Sequence, residues 1–250
     1  MASPDAADQP RRFNGPHCMR FLLVAPLLLA VAPMAFAQTD SERLRQCLEK
    51  IDSDAEGAYQ DGLTWLATGN RPAARQCTAL ALIALGQEAE GAARLEELAN
   101  APDAGTLEER GIYLVQSGNA WLMAGMPDAA LVTLTNAMKL RPTDGQLFTD
   151  RARAYVLLQK WNEAKKDLDD AIRLSAGDAE TYRLRGYALL RLSELQDAWE
   201  DVSTAMKLAP KDVNVLVLRG DVREAMRKAG LADPVEVEGE EQTHTRIVGN

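Results

Sequence analysis

The sequence predicts an all-α protein, a solenoid of about five antiparallel helix pairs closed by one further helix. Three observations predict it. The phrase "AMKLRP", Ala137 to Pro142, returns 68 residues later as "AMKLAP", Ala205 to Pro210, and at the midpoint "AIRLSA", Ala171 to Ala176, keeps its Ala and Leu, so the chain repeats every 34 residues. Aromatic residues make up only 5% of the chain, and Ala and Leu dominate, a balance that suits helix better than sheet. Within each period, large and small side chains recur at helical spacing, and helix pairs that cannot bury their apolar surface alone must stack.

The first 37 residues stand apart from this pattern. Residues 1–18 are polar, and either Met1 or Met19 can open the chain. Met19-Arg20 leads into "FLLVAPLLLAVAP", Phe21 to Pro33, and then "MAFA", Met34 to Ala37. A basic start, a short apolar run and small side chains at Ala35 and Ala37 describe a secretory signal peptide cleaved after Ala37. A membrane span needs about 20 apolar residues, and Pro26 and Pro33 interrupt this shorter run. "RRF", Arg11 to Phe13, lies too far ahead of it for a twin-arginine signal, and Cys18 precedes it, unlike a lipidated cysteine.

Cleavage would leave 25 basic and 35 acidic residues, a net charge of −10, with one histidine, His244, and two cysteines. Nothing in that balance offers a basic stripe for a phosphate backbone, so nucleic acid is not the expected partner. Two cysteines in an exported chain suggest a disulfide. Cys47 and Cys77 both lie in helical patterns, and a bond between them would join the first helix to the third. Two buried thiols are the alternative.

Residues 38–110 read as two divergent helical pairs. "SERLRQCLEKI" (Ser41 to Ile51) and "AEGAYQDGLTWLATGN" (Ala55 to Asn70) form one, with Asp40 or Ser41 as the cap. "RPAARQCTALALIALGQ" (Arg71 to Gln87) and "EGAARLEELAN" (Glu90 to Asn100) form the other, opened by Asn70 with Pro72. "APDAGTLEER", Ala101 to Arg110, is a connection that breaks the period.

Three full units follow, 111–144, 145–178 and 179–212. Their first helices carry Leu114, Gly118 and Trp121; Phe148, Ala152 and Tyr155; Tyr182, Gly186 and Leu189. Their second helices carry Ala130, Leu134 and Ala137; Ala164, Leu168 and Ala171; Ala198, Val202 and Ala205. The small residues let the paired helices approach closely, and the large ones fill the space around them. Residues 211–230 repeat the first-helix pattern at Leu216 and Gly220, and with no second helix to follow they read as a cap. Residues 231–250, acidic and punctuated by Pro and Gly, read as a disordered tail.

Large, small, large, then Ala, large, Ala, closed by Pro142 or Pro210, resembles the tetratricopeptide repeat. The resemblance covers residues 111–210, and the middle unit departs from it only in bearing Ala176 where the proline would stand. It implies a right-handed solenoid whose first helices line a concave groove. Carried over by position, the implied lining is Val115, Asn119, Leu122 and Met123; Thr149, Asp150, Arg153 and Val156; Arg183, Tyr187, Leu190 and Arg191; and Val217 with Asp221. The family's Lys/Asn clamp for a terminal carboxylate is not reproduced, because Asp150 stands where a donor would be wanted. The lining instead mixes apolar residues with a cationic end at Arg153, Arg183 and Arg191, which predicts a peptide with acidic and apolar side chains.

Charge recurs with the period as well. Arg151, Arg185 and Arg219 are 34 apart, and Asp167 and Asp201 hold the matching place in two second helices. In the unit beginning at Gly111 both positions change together, to Ser117 and Thr133. That joint change predicts the contacts Arg151–Asp167 and Arg185–Asp201, structural pairs that fix register.

For catalysis, the sequence shows no metalloprotease, nucleophile-elbow, phosphate-loop or Cys-x-x-Cys motif, and no cofactor or metal is expected. The expected function is a non-enzymatic interaction scaffold, secreted or periplasmic, binding a protein or peptide in its groove. Arg outnumbers Lys 20 to 8, which points to a bacterial envelope. A structural role through self-association and a chaperone-like carrier role are the alternatives.

Overall fold

The structure is a computed structural model that describes residues 39–231, and the predicted signal segment, the tail beyond Leu231 and His244 lie outside them. Eleven helices make up the described residues: α1 (Asp40–Ile51), α2 (Ala55–Thr68), α3 (Pro72–Ala84), α4 (Glu88–Asn100), α5 (Leu107–Met123), α6 (Pro127–Leu140), α7 (Gly145–Leu157), α8 (Trp161–Ser175), α9 (Ala179–Arg191), α10 (Leu195–Leu208) and α11 (Val213–Lys228). Each packs on the next, and α5, α7, α9 and α11 also touch in sequence, forming a row of first helices. This is an all-α solenoid of five helix pairs with α11 at its end.

The two kinds of helix begin differently. First helices other than α3 start at a side-chain cap, as does α2 at Asp54: Thr39 accepts from the Glu42 N–H, Asp144 from Gln146, Asp178 from Thr181 and Asp212 from Asn214. Thr106 and Glu109 form a reciprocal capping box ahead of α5, satisfying two otherwise orphaned N–H groups. The second helices α4, α6, α8 and α10 have no side-chain cap. They are entered instead through a turn with positive φ at Gly86, Gly125, Gln159 or Ser193.

Three boundaries correct the expectation. Thr39 caps α1, where Asp40 or Ser41 was expected, and both of these lie inside the helix. Arg71, not Asn70, precedes α3, without a side-chain cap and with Pro72 in the first turn. The stretch read as a connection to Arg110 gives its last four residues to α5, because the capping box nucleates the helix a turn early.

Burial follows the repeat. Ala130, Ala137, Ala152, Ala164, Ala171, Ala198 and Ala205 are all 0% exposed, so each marks a close approach between backbones. Gly118 serves the same end, since an added Cβ there would lie 2.5 Å from Leu134 of α6. Leu134, Leu168 and Val202, one period apart, fill the seam between paired helices and are likewise fully buried.

The divergent N-terminal pairs are held another way. Cys47 of α1 and Cys77 of α3 form a disulfide across a Cα–Cα distance of 6.0 Å, at a sequence separation of 30. Around it pack Ala58, Trp65, Ala74 and Ala81, and the Arg43 guanidinium lies 4.5 Å over the Trp65 ring. Closing a loop of that length contributes roughly 3 kcal/mol.

Candidate functional site

The row of first helices carries a recess of about 300 Å³ between α5, α7 and α9. Leu122 of α5, Val156 and Leu157 of α7, and Leu184 and Tyr187 of α9 supply its apolar lining. Leu157 is 56% exposed, although it sits at the end of a helix whose other face is fully buried. Tyr187 is fixed edge-on to Trp161 of α8, with ring centroids 5.7 Å apart. Arg191, one turn further along α9, lies 5.1 Å over the same Trp161 ring.

A chain of polar contacts crosses the three helices along the recess. Asn119 Nδ2 of α5 donates to Asp150 Oδ2 of α7 at 3.1 Å. Gln146 Nε2 and Arg153 Nη1 donate to the other oxygen of Asp150, at 3.1 and 2.6 Å. Arg153 Nε reaches Glu180 Oε1 of α9 at 3.4 Å. Arg183 grips the same carboxylate with two hydrogen bonds, at 2.7 and 2.8 Å. Asn119, Asp150, Arg153 and Arg183, read from the sequence as one groove, are therefore brought together.

Their charges differ from expectation. Two of the three arginines of the predicted cationic end are compensated, since Arg153 is held between Asp150 and Glu180, and Arg183 is held by Glu180, whereas Arg191 stacks on Trp161. Two guanidinium and two carboxylate groups balance at the recess. Asp150 is only 2% exposed, so it organises the network instead of facing a ligand. Thr149 is likewise buried, hydroxyl to hydroxyl with Thr181 at 3.1 Å. Met123, 63% exposed, and Asp221 on α11 do not line the recess.

The periodic arginines lie between paired helices. Arg151 of α7 binds Asp167 of α8 through Nε and Nη2 at 2.7 and 2.8 Å. Arg185 of α9 binds Asp201 of α10 in the same bidentate way at 2.8 and 2.7 Å. A third bond from each guanidinium goes back to the preceding second helix, to Thr135 at 3.4 Å and to Asp169 at 2.8 Å. Each arginine thus ties three helices, and its carboxylate partner raises its already high pKa further. Where Ser117 and Thr133 replace the pair, α4 takes over. The Ser117 hydroxyl donates to the Ala92 carbonyl at 2.9 Å, and Glu96 accepts from Trp121 Nε1 at 3.1 Å and from the Thr133 hydroxyl.

Solved structures share this fold. The 41-to-end form of MamA from Desulfovibrio magneticus RS-1 superposes with a TM-score of 0.58 at 17% identity, covering 70% of this chain and 95% of its own. TTC0263, a thermophilic TPR protein of Thermus thermophilus, gives 0.54 at 19% identity, covering 74% and 98%. A tetratricopeptide repeat protein from Parabacteroides merdae ATCC 43184 gives 0.53 at 18%, covering 74% and 71%. The chain has the tetratricopeptide-repeat fold. No protein-family model matches the sequence, nor does any curated protein.

Within this repeat fold, sequence reasoning missed Glu180, Gln146 and Glu96. Glu180 and Gln146 occupy the same repeat position, in the first turn of α9 and of α7, and each lies within a turn of a charged partner. That shared position was the available signal. Glu96 belongs to the divergent region, where no period points to it. Among the described residues no group of three or more His, Cys, Asp or Glu is placed to hold a metal ion, and no helix is long and apolar enough to cross a membrane.

Proposed function

We propose that this protein is a non-enzymatic interaction scaffold, exported to the cell envelope, whose row of first helices binds a peptide through one apolar side chain seated in the recess. The observation that carries the reading is the recess itself, with exposed Leu157 beside Val156, Leu122 and Tyr187. Small concave sites that are mostly apolar with a few fixed polar groups are where ligands bind. The paired rim refines the chemistry. An acidic side chain would have to displace Glu180 or Asp150 from the arginines, whereas an uncharged apolar one enters without breaking an ion pair. The favoured ligand is therefore a neutral, branched or aromatic side chain flanked by backbone acceptors. The signal-like segment and the paired cysteines support export.

Selection of a peptide library on the purified protein tests this. Enriched peptides should share one large apolar position and lose binding at least tenfold against Val156→Asp. Binding that survives Val156→Asp, or enrichment of acidic runs without an apolar position, would overturn the reading. Export is checked separately by sequencing the amino terminus of protein recovered from the envelope. It should begin at Gln38, and a retained Met1 or Met19 would contradict it.

A further inference from the structure

The turn that ends α11 is the turn that elsewhere delivers the chain into a second helix. At Gly86, Gly125, Gln159 and Ser193 the backbone takes a φ of 56–77°. The next residue then donates to a carbonyl five residues back: Gln87 to Leu82, Met126 to Trp121, Lys160 to Tyr155 and Glu194 to Leu189, at 2.8–2.9 Å. After each of these turns the chain doubles back as α4, α6, α8 or α10. Gly230 repeats the geometry, with φ 72° and the Leu231 N–H donating to Met226 O at 3.0 Å.

Among the described residues nothing covers the face onto which this turn sends the chain. Gly118, Ala152, Gly186 and Gly220 hold one repeat position. An added Cβ would meet Leu134 at 2.5 Å from Gly118 and Val202 at 3.3 Å from Gly186, but it would meet nothing within 4 Å from Gly220. Val213 and Leu216, on the same face, are 70% and 43% exposed. Arg219 completes the pattern. Its counterparts Arg151 and Arg185 each bind an aspartate as far beyond the turn residue as the arginine lies before it. Arg219 stacks on Trp199 at 5.7 Å, and no carboxylate among the described residues pairs with it.

The missing carboxylate has a defined place in the sequence. Arg219 lies eleven residues before Gly230, about 16 Å along the helix at about 1.5 Å per residue. An extended return at about 3.3 Å per residue covers this in about five residues, reaching Val235 and Glu236. A helical return needs eleven, reaching Glu241. Between those limits stand Glu236, Glu238, Glu240 and Glu241. We propose that the acidic run Glu236–Glu241 lies back along the open face of α11 and supplies Arg219 with the carboxylate that Asp167 and Asp201 supply to Arg151 and Arg185. A second copy of the chain is a weaker candidate for this face, because the covalent continuation is already aimed at it and acts at a high effective concentration.

Four full-length proteins test the proposal by amide exchange along α11: wild type, Arg219→Ala, a variant with all four glutamates changed to Gln, and the combination. Each single change should speed exchange of residues 213–224 about three- to tenfold, and the combination should go no further than either alone. Additive effects, or exchange unaffected by the Gln variant, would sink the proposal. Protection that grows with protein concentration would place a second copy on the face and sink it equally. Gly220→Leu is the independent control: it fills the open face directly, should also speed exchange, and overturns the proposal if exchange is unchanged.

Discussion

Ala176 shows how one residue carries the strain of a degenerate repeat. The other two full units close on Pro142 and Pro210, but here α8 ends on an alanine with φ 61°, followed by Gly177 at 67°. A left-handed alanine costs about 1–2 kcal/mol from contact between its Cβ and the backbone. Glycine removes that contact and costs roughly 0.5–1 kcal/mol in unfolded-chain entropy. Ala176→Gly should therefore stabilise the protein by about 0.5–1 kcal/mol, seen as a raised denaturant midpoint with an unchanged slope. A lowered midpoint would mean that the strain is relieved in a way the backbone angles do not show. Gly118 is the opposite case, since the adjacent Leu134 leaves no room for any side chain.

At the level of single helices, the start of α5 joins sequence, structure and pH. Glu109 accepts from the Thr106 N–H and hydroxyl, at 2.7 and 2.8 Å. These bonds, the backbone one first, hold its carboxyl below the usual range. A carboxylate whose folded pKa is depressed stabilises above its unfolded value, about 4.3, and that contribution is lost as pH falls through the folded value. Amides at the start of α5 should thus lose protection on acidification from about pH 5 downward. Glu109→Gln, which keeps an acceptor at the capping position but cannot titrate, should flatten that dependence, and an unchanged profile would assign it to another group. Element-scale features divide in how far the sequence announces them. Small residues at a fixed period are legible because close helix approach permits nothing larger, and the Arg151–Asp167 pair is legible because the unit lacking it loses both members. The Glu180 bridge was harder to read, since it runs from Arg153 in the third turn of α7 to the first turn of α9 and only the repeat position shared by Gln146 and Glu180 hinted at it. The α1 cap was not legible, because Thr39, Asp40 and Ser41 all bear suitable oxygens and only the backbone path chooses among them.

For the whole described chain, the governing property is that each helix touches mainly its sequence neighbours, so stability is approximately a sum of local pairs and their interfaces. Periodic seams and arginine ties secure α5 to α10, whereas the divergent α1–α3 region relies on the Cys47–Cys77 bond. Replacing both cysteines by serine should cost roughly 3 kcal/mol, and in a quasi-one-dimensional stack that loss should stay local. Amide exchange in α1, α2 and α3 should accelerate by two orders of magnitude or more while α7 to α10 change little, and unfolding should separate into two transitions. Because Ser117, Trp121 and Thr133 are all bonded to α4, that helix stays with α5 and α6, and the boundary should fall between α3 and α4. If exchange instead accelerates equally in every helix, the stack unfolds as a single unit, and the disulfide supports the recess between α5, α7 and α9 as much as its own end.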